Sequence, residues 1–103
     1  MKIREKKKGG SVFFSVEGEL THEGAQALYE RMLNALNRGD TSVVLDLEGC
    51  GFVSSSGLGT IAAALMIARS RGGDLKIRRP RLNVRSTLNI TKLDEIVEIE
   101  DDS

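Results

Sequence analysis

The fold of this chain is decided by residues 43–73, VVLDLEGCGFVSSSGLGTIAAALMIARSRGG. The segment begins with VVLDL, an almost unbroken apolar run that is typical of a strand covered on both faces. A short loop follows, ends in the serines at 54–56, and leads into a helix predicted to begin at about Gly57 or Leu58. Ser56 is therefore expected just before the helix, where its hydroxyl can cap free backbone N–H groups. In open α/β sheets, ligands and partners bind at this end of a central strand.

The sequence on either side predicts a mixed sheet with helices packed on it. Gly9 and Gly10 lie between two β-prone runs, which is the signal of a two-residue hairpin. The remaining predicted elements are, in chain order, a helix that Thr21 caps and Gly39 ends, a strand at 75–78, a short helix at 82–90 and a final strand at 96–99. Alternating helices and strands after a hairpin predict an α/β fold with a mixed, mostly parallel sheet of about five strands. We expect one domain over residues 1–103.

Composition argues against several functional classes. The chain of 103 residues has 15 Lys and Arg against 15 Asp and Glu, so a bulk attraction to nucleic acid or membrane is not expected. Cys50 is the single cysteine and His22 the single histidine, which excludes an internal disulfide and a zinc site built from these two residue types. There is no apolar run long enough to span a bilayer and no signal-peptide pattern. We expect a cytoplasmic protein without a metal, a membrane span or direct contact with nucleic acid.

The serine loop matches catalytic motifs poorly. A nucleophile elbow needs glycine two residues on either side of its serine, whereas Ser56 has Ser54 and Leu58 there. His22 lies upstream and could approach the loop, but the supporting Asp–His pattern is not evident. The loop also lacks the Gly-Lys-Ser/Thr ending of a phosphate-binding loop. A small hydrolase using Ser56 remains one alternative, and simple capping by the serines is another. His22 and Cys50 are predicted to be loop and semi-buried packing residues.

The helix after the serines is apolar over more than one face. Its predicted core stripe is Leu58, Ile61, Ala62, Leu65 and Met66, and Ala63, Ala64 and Ile67 widen the apolar surface. Such a helix is either covered by neighbours within the domain or presents an apolar patch to a partner.

Taken together, three segments resemble the STAS family, the domain shared by sulfate transporters and anti-sigma factor antagonists. VVLDLEGCGFVSSSGLGTIAAA (43–64) resembles its signature strand, serine loop and helix; VEGELTHEGAQAL (16–28) resembles its Gly-Glu-Leu loop and first helix; and 72–99 resembles its remaining elements. The family's phosphorylatable serine stands immediately before Gly-Leu, so the resemblance implies Ser56, with Ser55 as the runner-up. Ser54 stands where the family usually has Asp, which implies altered kinase recognition or phosphorylation rate.

The resemblance implies a binding module with no enzymatic activity and no cofactor. Unphosphorylated, such a protein captures an anti-sigma factor that is also a serine kinase, and so frees a sigma factor. Phosphorylation by that kinase, with ATP that belongs to the kinase, ends the capture, and a phosphatase resets it. The alternative is a STAS subunit of a larger stress-signalling or lipid-transport assembly without an active phospho-switch.

The predicted partner surface combines two loops at one rim of the sheet with the exposed side of the second helix. Its residues are Gly18, Glu19, Leu20, Thr21, His22, Val53, Ser54, Ser55, Ser56, Gly57, Leu58, Thr60, Ala63 and Ile67, with Ala64 beside them. Arg79 and Arg81 are expected near the same rim, either to pair with a phosphate or an acidic partner or as solvated loop residues.

Overall fold

The computed structural model of the protein describes residues 1–101, so the last two positions of the predicted 1–103 domain lie outside the described residues. Its elements in chain order are β1 (Lys2–Lys8), β2 (Ser11–Leu20), α1 (His22–Asn37), β3 (Ser42–Asp46), β4 (Cys50–Val53), α2 (Ser55–Ser70), β5 (Asp74–Arg78), α3 (Leu82–Ile90), a 3₁₀ turn (Leu93–Glu95) and β6 (Glu98–Glu100). The predicted α/β architecture is confirmed.

The sheet has the order β1-β2-β3-β5-β6, and β4 pairs with the far end of β2. Strands β1 and β2 are antiparallel, and the other pairings are parallel, as predicted. The hairpin turns at Gly9 and Gly10, whose φ angles of +58° and +82° suit the two-residue turns that match the twist of a hairpin. The last residues of β2 and β4 therefore lie side by side, with Leu20 opposite Val53.

One face of the sheet and the helices enclose the core. Alternate residues of β2 are buried, as are the inward residues of the central parallel strands. The largest fully buried side chains are Phe14, Leu20, Leu28, Met32, Leu36, Leu45, Leu47, Ile61, Leu65, Leu75, Ile77 and Leu88. They form one apolar cluster that holds α1 and α2 in fixed positions on the sheet.

Two local predictions are wrong. Residues 50–53, predicted as loop, form strand β4, because their backbone pairs with residues at the end of β2. The predicted core stripe of α2 also differs from the observed one: Met66 is 65% exposed, whereas Ala64, expected beside the partner surface, is 1% exposed. The buried face of α2 is formed by Gly57, Ile61, Ala64, Leu65 and Ala68.

An ion-pair network ties the edge strand to the end of α1. Asp40 lies 2.8 Å from the Lys7 ammonium and 2.8 Å from the Arg38 guanidinium, which also contacts Glu5 at 2.9 Å. The hydrogen bond from Lys7, followed by that from Arg38, lowers the pKa of Asp40 below its ordinary value of 3.8. The network therefore favours the ionised carboxylate in the folded chain.

We expect the stability contributed by Asp40 to be lost in acid. Because the folded pKa lies below the unfolded one, this contribution is fully present above the unfolded pKa and disappears as pH falls below 3.8 through the folded pKa. Urea midpoints of the wild type and Asp40→Asn, measured from pH 7 to pH 2, should converge at the acid end. A gap that stays constant over this range would contradict the assignment.

Among residues 1–101, none of the helices is long and apolar enough to cross a membrane.

Candidate functional site

The candidate site lies where two parallel strands end side by side and each leads directly into a helix. β2 ends at Leu20 and α1 begins at His22, while β4 ends at Val53 and α2 begins at Ser55. A backbone hydrogen bond of 2.9 Å from Ser54 N–H to the Leu20 carbonyl joins the two strand ends. The amino-terminal turns of α1 and α2 consequently lie next to each other at one rim of the sheet.

Each of the two helices is capped by a hydroxyl at the residue before it. Thr21 is the N-cap of α1, as predicted, and its Oγ1 accepts from the Gly24 N–H at 3.5 Å. The N-cap of α2 is Ser54, whose Oγ accepts from the Gly57 N–H at 3.1 Å. The prediction that α2 begins at Gly57 or Leu58 with Ser56 as its cap is therefore wrong. Ser56 is the second residue of the helix.

Ser54, which stands where the family usually has Asp, is thus the N-cap of α2. Serine and aspartate are both favoured N-caps, because each has a side-chain oxygen that can accept from the free backbone N–H groups. Ser54 therefore makes the capping hydrogen bond that an aspartate could make at this position, and it lacks only the negative charge of the aspartate. The structure of the loop does not depend on that charge.

We expect Ser54→Ala to destabilise the fold by about 1 kcal/mol, because the Gly57 N–H loses its side-chain acceptor. In a domain of this size that corresponds to a fall of about 4–8 °C in the melting temperature. Ser54→Asp should melt close to the wild type, and Ser55→Ala, at an exposed neighbour, is the matched control. The capping role would be disproved by a Ser54→Ala variant that is as stable as the wild type.

The Ser56 hydroxyl is held by the single histidine of the chain. Ser56 is half-buried, and its Oγ lies 2.8 Å from Nδ1 of His22, the first residue of α1. The imidazole is exposed, so the pair is in contact with solvent. His22, predicted as a loop residue that could approach the serine loop, is instead the first residue of α1. The parallel pairing of β2 and β4, had it been recognised, would have placed the starts of the two helices together and indicated this contact.

Gly57 fixes how closely α2 approaches the strand ends. A Cβ at this position would lie 2.8 Å from Cγ1 of Val53 and 3.0 Å from Cδ2 of Leu20. Only a residue without a side chain allows the first turn of α2 to pack this tightly on both strands. The position of Ser56 beside His22 therefore depends on Gly57.

The residues of the predicted partner surface differ in their exposure to solvent. The exposed members are Gly18, Glu19, Thr21, His22 and Ser55, and the half-buried ones are Ser54, Ser56, Leu58, Thr60, Ala63 and Ile67. Leu20, Val53 and Gly57 are buried in the core, so they support the surface from beneath and cannot contact a partner directly. Ala64 is interior as well.

The two arginines expected near this rim contact other parts of the chain. Arg79 Nη2 lies 2.6 Å from Asp46, and Arg79 Nη1 lies 3.6 Å from Glu48. Arg81 Nε donates to the Glu48 backbone carbonyl at 2.8 Å. Both side chains are thus engaged around the end of β3 and the turn that follows it. Among residues 1–101, no group of three or more His, Cys, Asp or Glu side chains is arranged to hold a metal ion.

The comparisons with known proteins identify the family of the chain. The family model described as "Mlab, STAS domain" matches residues 3–98, so the chain belongs to the STAS domain family.

Solved structures show the same fold. A candidate anti-sigma factor antagonist from Thermotoga maritima, TM1081, is 29% identical with a TM-score of 0.92, over 97% of this chain and 86% of that one. The anti-sigma factor antagonist SpoIIAA in its unphosphorylated form is 17% identical with a TM-score of 0.79, over 99% of this chain and 89% of that one. The Bacillus cell fate determinant SpoIIAA in its phosphorylated form is 18% identical with a TM-score of 0.82, over 99% and 92%.

Proposed function

We propose that this protein is an anti-sigma factor antagonist whose binding is controlled at Ser56. In its unphosphorylated form it binds an anti-sigma factor that is also a serine kinase, and the sigma factor held by that kinase is released. Membership of the STAS family and the 29% identity with TM1081 support this role. The observation that carries the proposal is the position of the Ser56 hydroxyl, half-buried on the rim where α1 and α2 begin.

The chemistry of the switch belongs to the partners. The kinase supplies ATP, and a bond forms between Ser56 Oγ and the terminal phosphorus while the bond from that phosphorus to ADP breaks. The hydroxyl proton leaves to solvent. A phosphatase restores the hydroxyl by hydrolysis of the phosphate ester. In this proposal the protein itself needs no nucleotide site and no cofactor.

Phosphorylation at this position should change the surface without unfolding the domain. A phosphoserine adds about −1.5 to −2 charges and three acceptor oxygens at neutral pH. In the first turn of a helix those oxygens face the positive end of the helix dipole, so the fold tolerates the charge. In a partner interface, the same charge must be desolvated or placed beside other anions. A change of about 3 kcal/mol there lowers affinity more than a hundredfold.

The test is incubation of the protein with a candidate anti-sigma kinase and ATP, with complex formation and the modified residue read in the same samples. We expect a complex before ATP addition, phosphate on Ser56 by mass spectrometry, and dissociation as the phosphate accumulates. Ser54→Asp should speed phosphate incorporation if the missing carboxylate contributes to kinase recognition. Stable capture with no phosphate at any serine would exclude the switch.

A second candidate is a STAS subunit of a larger assembly without an active phospho-switch. Exposed apolar residues favour it, since Met66 on α2 is 65% exposed and Phe52 on β4 is 48% exposed. Exposed apolar side chains mark a surface that another subunit covers where they form one contiguous patch. Copurification as a stable large complex, with unmodified Ser56, would favour this candidate over the first.

For the hydrolase alternative, His22 could serve as the base for Ser56, but the third group of a catalytic triad is missing from residues 1–101. His22 lies at hydrogen-bond distance from Ser56, yet within residues 1–101 its imidazole has no hydrogen bond to a carboxylate. The buried and hydrogen-bonded third group that orients the base in such enzymes is therefore missing from that range. Labelling of Ser56 in the folded protein by a covalent serine probe would reopen this alternative.

A further inference from the structure

The contact between His22 and Ser56 joins the two halves of the rim. The residues are 34 positions apart in the chain, yet the imidazole Nδ1 and the hydroxyl Oγ are separated by 2.8 Å. His22 begins α1 and Ser56 lies in the first turn of α2, so the hydrogen bond links the two helix starts. A group attached to the Ser56 oxygen would be placed directly beside the imidazole.

We propose that His22 is the counter-ion of phosphorylated Ser56. Before phosphorylation the imidazole and the hydroxyl share one hydrogen bond, and after it the protonated imidazole pairs with the phosphate oxygens. Hydrogen bonds between a cationic donor and a phosphate are about twice as strong as neutral ones. The inference rests on the proposed function for its biological meaning, although the ion pair itself can be tested without a kinase.

Among the side chains at the rim, His22 is the one that can carry a positive charge beside Ser56. Within residues 18–25 and 50–58, which form the rim, the other charged side chains are the exposed acids Glu19 and Glu23. Both disfavour a nearby phosphate. The first turn of α2 contains no acidic residue. Met1 lies at the same rim, with its backbone against Gly18 and its side chain against Gly24 in the first turn of α1. Arg79 and Arg81, the cations expected here from the sequence, contact Asp46 and Glu48 instead.

The experiment places phosphoserine at position 56 during translation, so the phosphoprotein is made without a kinase. The titration of its phosphate is followed by ³¹P NMR in otherwise wild-type protein, His22→Ala and His22→Asn. An adjacent cation favours the doubly charged phosphate, so the wild-type midpoint should lie about 0.5–1 pH units below that of His22→Ala. His22→Asn can form a hydrogen bond but cannot become charged, so it should titrate close to His22→Ala.

The matched control is Glu23→Gln, one position further along α1. Removing this acid should leave the midpoint unchanged or lower it, whereas removing His22 should raise it. Amide spectra of each variant verify the fold, and His22→Asn provides the test if His22→Ala does not fold. Equal midpoints in the wild type and the folded His22 variants would overturn the counter-ion role while leaving the proposed function intact. If the phosphate midpoint shifts as expected but no kinase is found to modify Ser56, the counter-ion role would stand and the proposed function would fail.

Discussion

Ser56→Ala should abolish phosphate incorporation while leaving capture of the anti-sigma factor within about threefold of the wild type, a difference of less than 1 kcal/mol. The variant removes one half-buried hydroxyl and its hydrogen bond to His22, and it leaves the Ser54 cap and the packing of Gly57 in place. Ser56→Asp should instead lower affinity about tenfold or more, because it brings a carboxylate into the interface. Full phosphorylation, with its larger charge, should lower affinity about a hundredfold.

Ser55→Ala is the matched control for the Ser56 variants. Ser55 is exposed, one position earlier in the same helical turn, and makes no side-chain hydrogen bond within residues 1–101. It should retain both capture and phosphate incorporation. Phosphate mapped to Ser55 in the wild type would show that the modified residue is misassigned, although the family would stand. Unchanged affinity of both Ser56→Asp and the phosphorylated protein would contradict a charge-controlled interface.

Features with a strong local signal could be predicted from the sequence. The paired glycines at 9 and 10 specify the hairpin, and the apolar run at 43–47 specifies an interior strand. Strand β4 could not be predicted in this way. Its four residues include Gly51, and their extended backbone comes from pairing with the end of β2, more than 30 residues earlier. A strand made by a distant neighbour leaves little pattern of its own.

The start of α2 shows the same limit at the level of a single residue. Ser54, Ser55 and Ser56 are equally good N-caps by type, so the local sequence does not decide which one precedes the helix. Packing decides it, because the tight fit of Gly57 against Val53 and Leu20 fixes the register of the first turn. This register makes Ser54 the cap and turns Ser56 toward His22.

Gly73 lies tightly against the Thr41 backbone at the opposite end of the sheet from the site. A Cβ at Gly73 would lie 2.1 Å from the Thr41 carbonyl oxygen and 2.5 Å from the Thr41 Cβ. The same carbonyl accepts the Asp74 N–H at 3.0 Å, the bond that starts the pairing of β5 with β3. Neither strand can move away without losing that bond, and Gly73 is held in place separately by the hydrogen bond from its N–H to the Ala68 carbonyl at 2.9 Å.

Gly73→Ala should therefore destabilise the fold by about 3 kcal/mol or more, through backbone strain and the loss of this hydrogen bond. The corresponding fall in melting temperature is about 12–24 °C for a domain of this size. Gly59→Ala is the matched control, since a Cβ there meets nothing within 4 Å and the helix interior gains up to about 1 kcal/mol from the change. Thermal and urea unfolding of the two variants measure the contrast. A Gly73→Ala variant as stable as the wild type would contradict the claim that the fold needs a residue without a side chain beside Thr41.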